Sequence, residues 1–244
     1  MSGRTLCRSV TDPRTTSRCE FEFVRRRTSA SKFQLAIRSI SFASCYIYSP
    51  RAEGNASEGS RLLCARLKSA DPDWLPRYAG QVFQQISRQR QFPGLFAKDL
   101  VLVPVPGSAP SAGVPWAAER LAIALKEIGL AGAVLVCLRR RFAVRKSATA
   151  LSGERPTVQE HYNSFVAEDQ SPHRPHRILL VDDVVTKGRT LLAAAARLHE
   201  AFPNADLRAF ALVRTMGFLP QLERLLEPCE GIIRWAGGDA RREP

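Results

Sequence analysis

Two kinds of apolar pattern alternate along this chain. Largely apolar runs of strand length occur at 100–105, 133–138, 178–181 and 207–213. Between them, apolar residues recur every three or four positions, as they do on one face of a helix. Buried strands that alternate with helices of about ten to fifteen residues are typical of βαβ units and a parallel sheet. We therefore predict an α/β fold with a central parallel sheet of about five strands, flanked by helices.

The same patterns predict the remaining elements. Helical spacing predicts helices at 60–69, 73–90, 116–128, 189–202 and 218–226. Shorter strands are expected at 46–48, 164–167 and 232–233. The segment 143–162 has little periodicity, and no element is predicted within it.

Residues 1–44 differ in composition from the rest of the chain. They are rich in Arg, Ser and Thr, poor in acidic residues, and include the run Arg25, Arg26 and Arg27. We interpret 1–44 as a basic, poorly ordered N-terminal extension and 45–244 as the folded domain. A transit peptide and a nucleic-acid-binding arm are the functional alternatives for the extension.

Composition excludes several classes of protein. Hydrophobic residues make up 45% of the 244 and charged residues 24%, which is an ordinary globular mixture. No apolar run approaches the ~18 residues that a membrane-spanning helix needs, so no membrane partner is expected. The six cysteines include no C-x-x-C pair, and no zinc site is predicted. Thiols without an evident pairing pattern favour a cytoplasmic location.

The net charge of +13 first suggests a nucleic acid as partner. The charge is uneven, however: 1–50 contains nine Lys and Arg against three Asp and Glu, whereas 151–244 contains twelve against thirteen. A short basic cluster consists of Arg139, Arg140, Arg141, Arg145 and Lys146. The positive charge therefore indicates an anionic partner, and a nucleic acid is possible but not favoured.

The most informative motif is ILLVDDVVTKGRT at 178–190. It describes a buried strand, two adjacent acids, a short turn and a helix N-terminus, which is where open α/β sheets bind ligands. Two carboxylates can accept hydrogen bonds from the two hydroxyls of a ribose. The turn from Thr186 to Thr190 directs backbone N–H groups and the helix dipole at one point, which suits a phosphate. Gly188 allows close approach of the anion.

This motif resembles the phosphoribosyl pyrophosphate (PRPP) signature of type I phosphoribosyltransferases, in which four apolar residues, two acids and two apolar residues precede T-x-G-x-T. The resemblance implies the type I phosphoribosyltransferase fold. It also implies that Asp182 and Asp183 bind the ribose hydroxyls and Mg²⁺. The 5′-phosphate would lie on the loop Thr186, Lys187, Gly188, Arg189 and Thr190. Lys187 and Arg189 replace small residues common in the family, and they either add charge at the phosphate or point to solvent.

A wider likeness to competence protein F-like phosphoribosyltransferases extends over roughly residues 46–235. In that group, V-P-V-P precedes the loop that holds pyrophosphate; here VPVP ends at Pro106, and the candidates for that loop are Pro106, Gly107 and Ser108. The segment 151–165 resembles the E-R-x-x-N-x-x-x-F lid of the group with altered spacing. The lid candidates are Arg139, Arg140, Lys146 and Arg155. The chain departs from the group in lacking a cysteine-ligated zinc site and a basic residue in the pyrophosphate loop.

The resemblance predicts a phosphoribosyltransferase that uses Mg-PRPP and releases pyrophosphate. The acceptor would be a nitrogen nucleophile, of which a nucleobase is one candidate, and His161 and Tyr162 are residues that could touch it. Mg²⁺ is the expected cofactor, and a homodimer is a possible assembly. The alternative is a non-catalytic PRPP-binding regulator or a competence factor for DNA uptake. The missing basic residue favours this alternative, whereas the lack of an evident helix-turn-helix disfavours direct readout of DNA sequence.

Overall fold

Nine strands and five helices make up the described part of the protein. The computed structural model describes residues 33–69, 74–110, 113–145, 154–168, 174–217 and 219–244. In chain order the elements are β1 (Ser39–Tyr48), α1 (Asn55–Lys68), α2 (Trp74–Gln89), β2 (Ala97–Pro104), α3 (Ala117–Glu127), β3 (Ala131–Val134), β4 (Leu138–Arg140), α4 (Val158–Ser164), β5 (Phe165–Ala167), β6 (Arg177–Val185), α5 (Arg189–Ala201), β7 (Asp206–Thr215), β8 (Leu226–Ala236) and β9 (Asp239–Glu243).

The central sheet has seven strands in the order β3-β2-β6-β7-β1-β8-β9. The first five pair in parallel, whereas β8 and β9 add an antiparallel edge. β4 and β5 form a separate antiparallel pair. The predicted α/β class is therefore confirmed. The expected count of about five strands covers only the parallel part, because β8 and β9 are largely half-buried and lack a continuous apolar run.

Helices cover both faces of this sheet. α1, α2 and α3 pack on the face to which Leu179 and Val181 of β6 point. α4 and α5 pack on the opposite face, together with Ile178 and Leu180. Successive residues of a strand point to opposite faces, so a strand covered on both sides is apolar at every position. This is the physical reason for the unbroken run ILLV in β6.

The chain leaves two neighbouring strands in opposite directions. β2 and β6 pair in parallel, up to the register pair Pro104 and Val181. After β2 the chain crosses through α3 to β3 on one side, and after β6 it crosses through α5 to β7 on the other. Because the two connections diverge, a crevice opens at the carboxyl ends of β2 and β6. Such a crevice is the usual ligand site of an open α/β sheet.

Three element predictions are corrected by the structure. The single strand expected at 133–138 is divided between β3, which ends at Val134 in the central sheet, and β4, which begins at Leu138 in the separate pair. No helix occurs at 219–226, where Leu222 instead packs into a small apolar cluster and β8 then begins. The aperiodic segment 143–162 contains the start of α4. A capping box between Thr157 and Glu160 begins this helix, which is too short to show helical periodicity.

The folded part begins earlier than the sequence suggested. β1 begins at Ser39 and pairs with β7 on one side and β8 on the other. Phe33 packs edge-on against Tyr162 and Trp235. The predicted boundary at residue 44 thus falls inside a central strand, whose serines dilute its apolar signal. Residues 1–32 of the predicted extension lie outside the described residues.

Candidate functional site

A pocket of about 90 Å³ lies at the carboxyl end of β6. Asp182, Arg155, His161 and the turn 186–190 contribute to its wall. Asp183, the next residue of β6, does not line it. The fold therefore brings together most of the residues that the sequence motif predicted, at the carboxyl end of β6.

The turn between β6 and α5 depends on a glycine. Gly188 has a φ of 83°, in the left-handed region. A Cβ at this position would lie 2.6 Å from Ile233, so any side chain would clash as well as strain the backbone. Since glycine cannot cap α5 with a side chain, the first N–H groups of the helix remain available to a ligand. With the hydroxyls of Thr186 and Thr190, they form a site suited to an anion.

The two adjacent acids of β6 influence each other. The Asp182 carboxylate accepts a hydrogen bond from the N–H of Asp183 at 2.9 Å, and the Asp183 carboxylate accepts one from Val184 at 2.9 Å. Burial, reinforced by the Asp183 carboxylate, raises the pKa of Asp182 well above its usual range, although the charge of Arg140 opposes this shift. A cation or a pair of hydroxyl donors would stabilise two carboxylates crowded in this way.

The chemistry of this acidic pair fits Mg²⁺. Mg²⁺ binds through one or two carboxylates and keeps oxygens of water or of substrate phosphates as its other ligands. Asp182 and Asp183 supply carboxylate oxygens beside the pocket. Within the described ranges, no group of three or more His, Cys, Asp or Glu side chains lies together to enclose a metal ion. A cation at this pair would therefore depend on solvent or ligand oxygens.

Asp239, at the start of β9, binds both basic side chains of the turn. Arg189 donates to its carboxylate from Nε at 2.5 Å and from Nη2 at 2.6 Å. Nη1 of Arg189 donates to the carbonyls of Arg155 and Pro156, each at 3.1 Å. Lys187 Nζ lies 3.4 Å from the same Asp239 carboxylate. The side chain of Arg189 thus joins α5 to β9 and to the segment before α4, a role the motif did not indicate.

The predicted pyrophosphate loop follows β2 and is held by the basic segment around β4. Pro106 is buried and Gly107 is exposed. Arg140 donates from Nε to the Gly107 carbonyl, and Val144 donates its N–H to the Ser108 carbonyl at 2.8 Å. A second pocket, of about 140 Å³, lies between this loop and β4. The loop and the basic segment therefore form one unit beside the crevice.

Arg140 is built into the wall of the site, although it was predicted as a lid residue. It is 7% exposed, and its guanidinium carbon lies 4.1 Å from the centre of the Phe165 ring. It donates to Ser164 Oγ and to His161 Nδ1, the latter at 3.1 Å, as well as to Gly107. Burial lowers the pKa of Arg140 to about 10, so the group stays charged at neutral pH. Arg140 fastens the loop after β2 to α4.

The other lid candidates occupy different places. Arg139 is exposed on β4, and Lys146 lies outside the described residues. Arg155 lines the pocket, and its buried Nε has no hydrogen-bond partner among the described residues. Of the four candidates, Arg155 is the described residue best placed to contact an anion in the pocket.

His161 is more closely built into the site than the sequence indicated. It is 4% exposed, and its Nε2 lies 3.4 Å from Thr190 Oγ1. Burial and the positive charge of Arg140 lower its pKa to about 3, so the imidazole is neutral at physiological pH. The capping box at Thr157 was a local signal for the helix that carries it. No local signal could reveal Asp239, which meets the turn from a position 50 residues along the chain.

Comparisons with known proteins assign no family to this site. No protein-family model matches the chain, and no curated protein is found to be similar to it. Among the described residues, no helix combines the length and the apolar character needed to cross a membrane. Any function of the site must therefore be argued from its own residues.

Proposed function

We propose that the protein is a phosphoribosyltransferase of type I fold that uses Mg-PRPP. It would transfer the phosphoribosyl group to a nitrogen nucleophile and release pyrophosphate. The observation that carries the proposal is the pocket at the carboxyl end of β6, which combines Asp182 with the turn 186–190 at the N-terminus of α5. A carboxylate beside an anion-binding helix end is the combination that a phosphorylated sugar requires.

The charges of the site support this choice of ligand. The turn 186–190 supplies helix N–H groups and two hydroxyls for a 5′-phosphate, and Asp182 and Asp183 supply acceptors for the ribose hydroxyls. Arg155 lines the pocket and has an unpaired Nε, and the loop 106–108 follows β2, the strand that pairs with β6; these are the groups that would hold the diphosphate. PRPP carries these three groups in one molecule, whereas a simple phosphate monoester would leave the acids or the second loop unused.

The proposed reaction needs orientation more than covalent help. C1 of the ribose becomes oxocarbenium-like as pyrophosphate leaves, so the protein must hold the sugar and stabilise the charge of the leaving group. Hydrogen bonds of Arg140 and His161 connect the loop after β2 with the turn after β6, and so help to position the two. Mg²⁺ held by Asp182 and Asp183 would supply neutralisation of the diphosphate charge.

Binding is tested first, by thermal unfolding with and without Mg-PRPP. At a ligand concentration of 100 times Kd, the stabilisation is about 2.7 kcal/mol, which raises Tm by roughly 5–10 °C in a chain of this size. Asp182→Asn combined with Asp183→Asn should abolish the shift. The matched control is Glu230→Gln, which removes an exposed charge from β8 and should keep it. No shift in the wild-type protein would refute PRPP binding.

Turnover is tested next, by pyrophosphate release from Mg-PRPP with a panel of nucleobases, amines and ammonia. Release that depends on one acceptor would establish the transferase and identify its substrate. The alternative, a non-catalytic PRPP-binding regulator or competence factor, is favoured by one observation. The loop 106–108 has no basic residue, and Arg140 beside it donates to protein groups. Binding without release for any acceptor would support that alternative.

A further inference from the structure

Three hydrogen-bonded groups connect the two loops of the site. Arg140 donates to the Gly107 carbonyl on one side and lies 3.1 Å from His161 Nδ1 on the other. His161 Nε2 lies 3.4 Å from Thr190 Oγ1, in the first turn of α5. His161 therefore stands between a buried cation and a hydroxyl that lines the pocket.

The direction of each hydrogen bond in this series follows from the chemistry of Arg140. A guanidinium has five N–H donors and no acceptor, so His161 Nδ1 must accept from it and cannot carry a proton. A neutral imidazole with a bare Nδ1 carries its proton on Nε2. Nε2–H then donates to one of the two lone pairs of Thr190 Oγ1.

The position of Thr190 determines where its own hydroxyl proton can go. Inside a helix, a threonine hydroxyl can donate to the carbonyl three or four residues earlier. Thr190 is the second residue of α5, so no preceding helical turn offers such a carbonyl. The hydroxyl proton is then available to whatever occupies the pocket, and the group that it meets there must be a hydrogen-bond acceptor.

We infer that His161 is a positioning residue that makes the Thr190 hydroxyl a donor toward the pocket, and so selects an anionic oxygen at this point. This inference rests on the proposed function, because it assigns the oxygen to the phosphate of PRPP that lies on the turn 186–190. His161 acts through Thr190, because both of its ring nitrogens are engaged by protein groups, Nδ1 by Arg140 and Nε2 by Thr190. The charged groups that act on its ring are Arg140, Arg189 and Glu160.

A double-mutant cycle on affinity for Mg-PRPP tests the route through Thr190. His161→Asn keeps an acceptor near Arg140 but is too short to reach Thr190, and Thr190→Val removes the hydroxyl at constant shape. Each should weaken binding about tenfold, as expected for loss of one hydrogen bond to a charged group. The double variant should be no weaker than either single variant. Thr190→Ser is the matched control that keeps the hydroxyl, and His161→Gln should restore most of the affinity.

The outcomes separate this inference from the proposed function. Losses that add up in the double variant would show a merely structural His161 and overturn the inference, while PRPP binding would stand. Absence of PRPP binding in the wild type would overturn the proposed function and the assigned ligand together. A third measurement does not depend on ligand: the ¹⁵N shifts of the His161 ring should report the Nε2–H tautomer. An Nδ1–H tautomer would overturn the inference directly.

Discussion

Acidification should destabilise the protein through His161, by an amount that the structure allows to be worked out. Burial and Arg140 depress the pKa of this histidine from 6.5 to about 3. Below pH 6.5 the imidazole is therefore protonated in the unfolded chain but stays neutral in the folded protein. Because the unfolded state binds the additional proton, falling pH favours unfolding. With these two pKa values, the contribution of His161 makes unfolding easier by about 2 kcal/mol between pH 7 and pH 5.

Urea unfolding of the wild type and of His161→Gln, at half-unit steps from pH 7 to pH 5, measures this contribution. Glutamine has no titrating group, so the variant should lose about 2 kcal/mol less than the wild type over the range. The comparison uses pH slopes, so any change that the substitution makes to stability at pH 7 does not affect it. The other three histidines, His173, His176 and His199, are present in both proteins, so they do not contribute to the difference. Parallel pH profiles would refute a buried, neutral His161.

Three further predictions concern residues that hold the candidate site together, and urea unfolding checks each of them. Arg140→Ala should cost about 3 kcal/mol, because it leaves buried partners of the guanidinium unpaired; a loss below about 0.5 would contradict this. Gly188→Ala should cost more than about 1 kcal/mol through its φ and its clash, whereas Gly107→Ala, which meets nothing within 4 Å, should be nearly neutral. Asp239→Asn should cost about 1 kcal/mol at pH 7. Because Arg189 lowers the pKa of Asp239, that difference should disappear as pH falls through the depressed pKa, and a difference that persists in acid would count against it.

The parallel strands of the fold could be predicted from the sequence, because a strand that is buried on both faces is apolar at every position. The apolar run at 178–181 lies wholly within β6, and the helix expected at 189–202 ends one residue later than α5. Elements with one exposed face were harder to recognise. β8 is mostly half-buried, and the seven residues of α4 complete only two helical turns, so neither gives a clear period.

Part of the candidate site could likewise be predicted from the sequence, and part of it could not. The strand, the acids and the turn 182–190 are contiguous, so a local motif contains them. The contacts that hold them are not contiguous: Arg140 reaches Gly107 across 33 positions, and Arg189 reaches Asp239 across 50. The sequence therefore predicts a lid residue at Arg140, because it shows the basic character of this side chain but not its burial.

The order of strands has a consequence for how copies of the chain can meet. β9 forms one edge of the sheet, and an open edge can recruit a strand from another molecule and start aggregation. Its five residues, DARRE, carry four charges. Antiparallel pairing of two such edges about Arg241 would place Asp239 opposite Glu243 and Arg241 opposite its own copy. Like charges repel at directly opposed positions, so we expect any self-association to use a surface other than this edge.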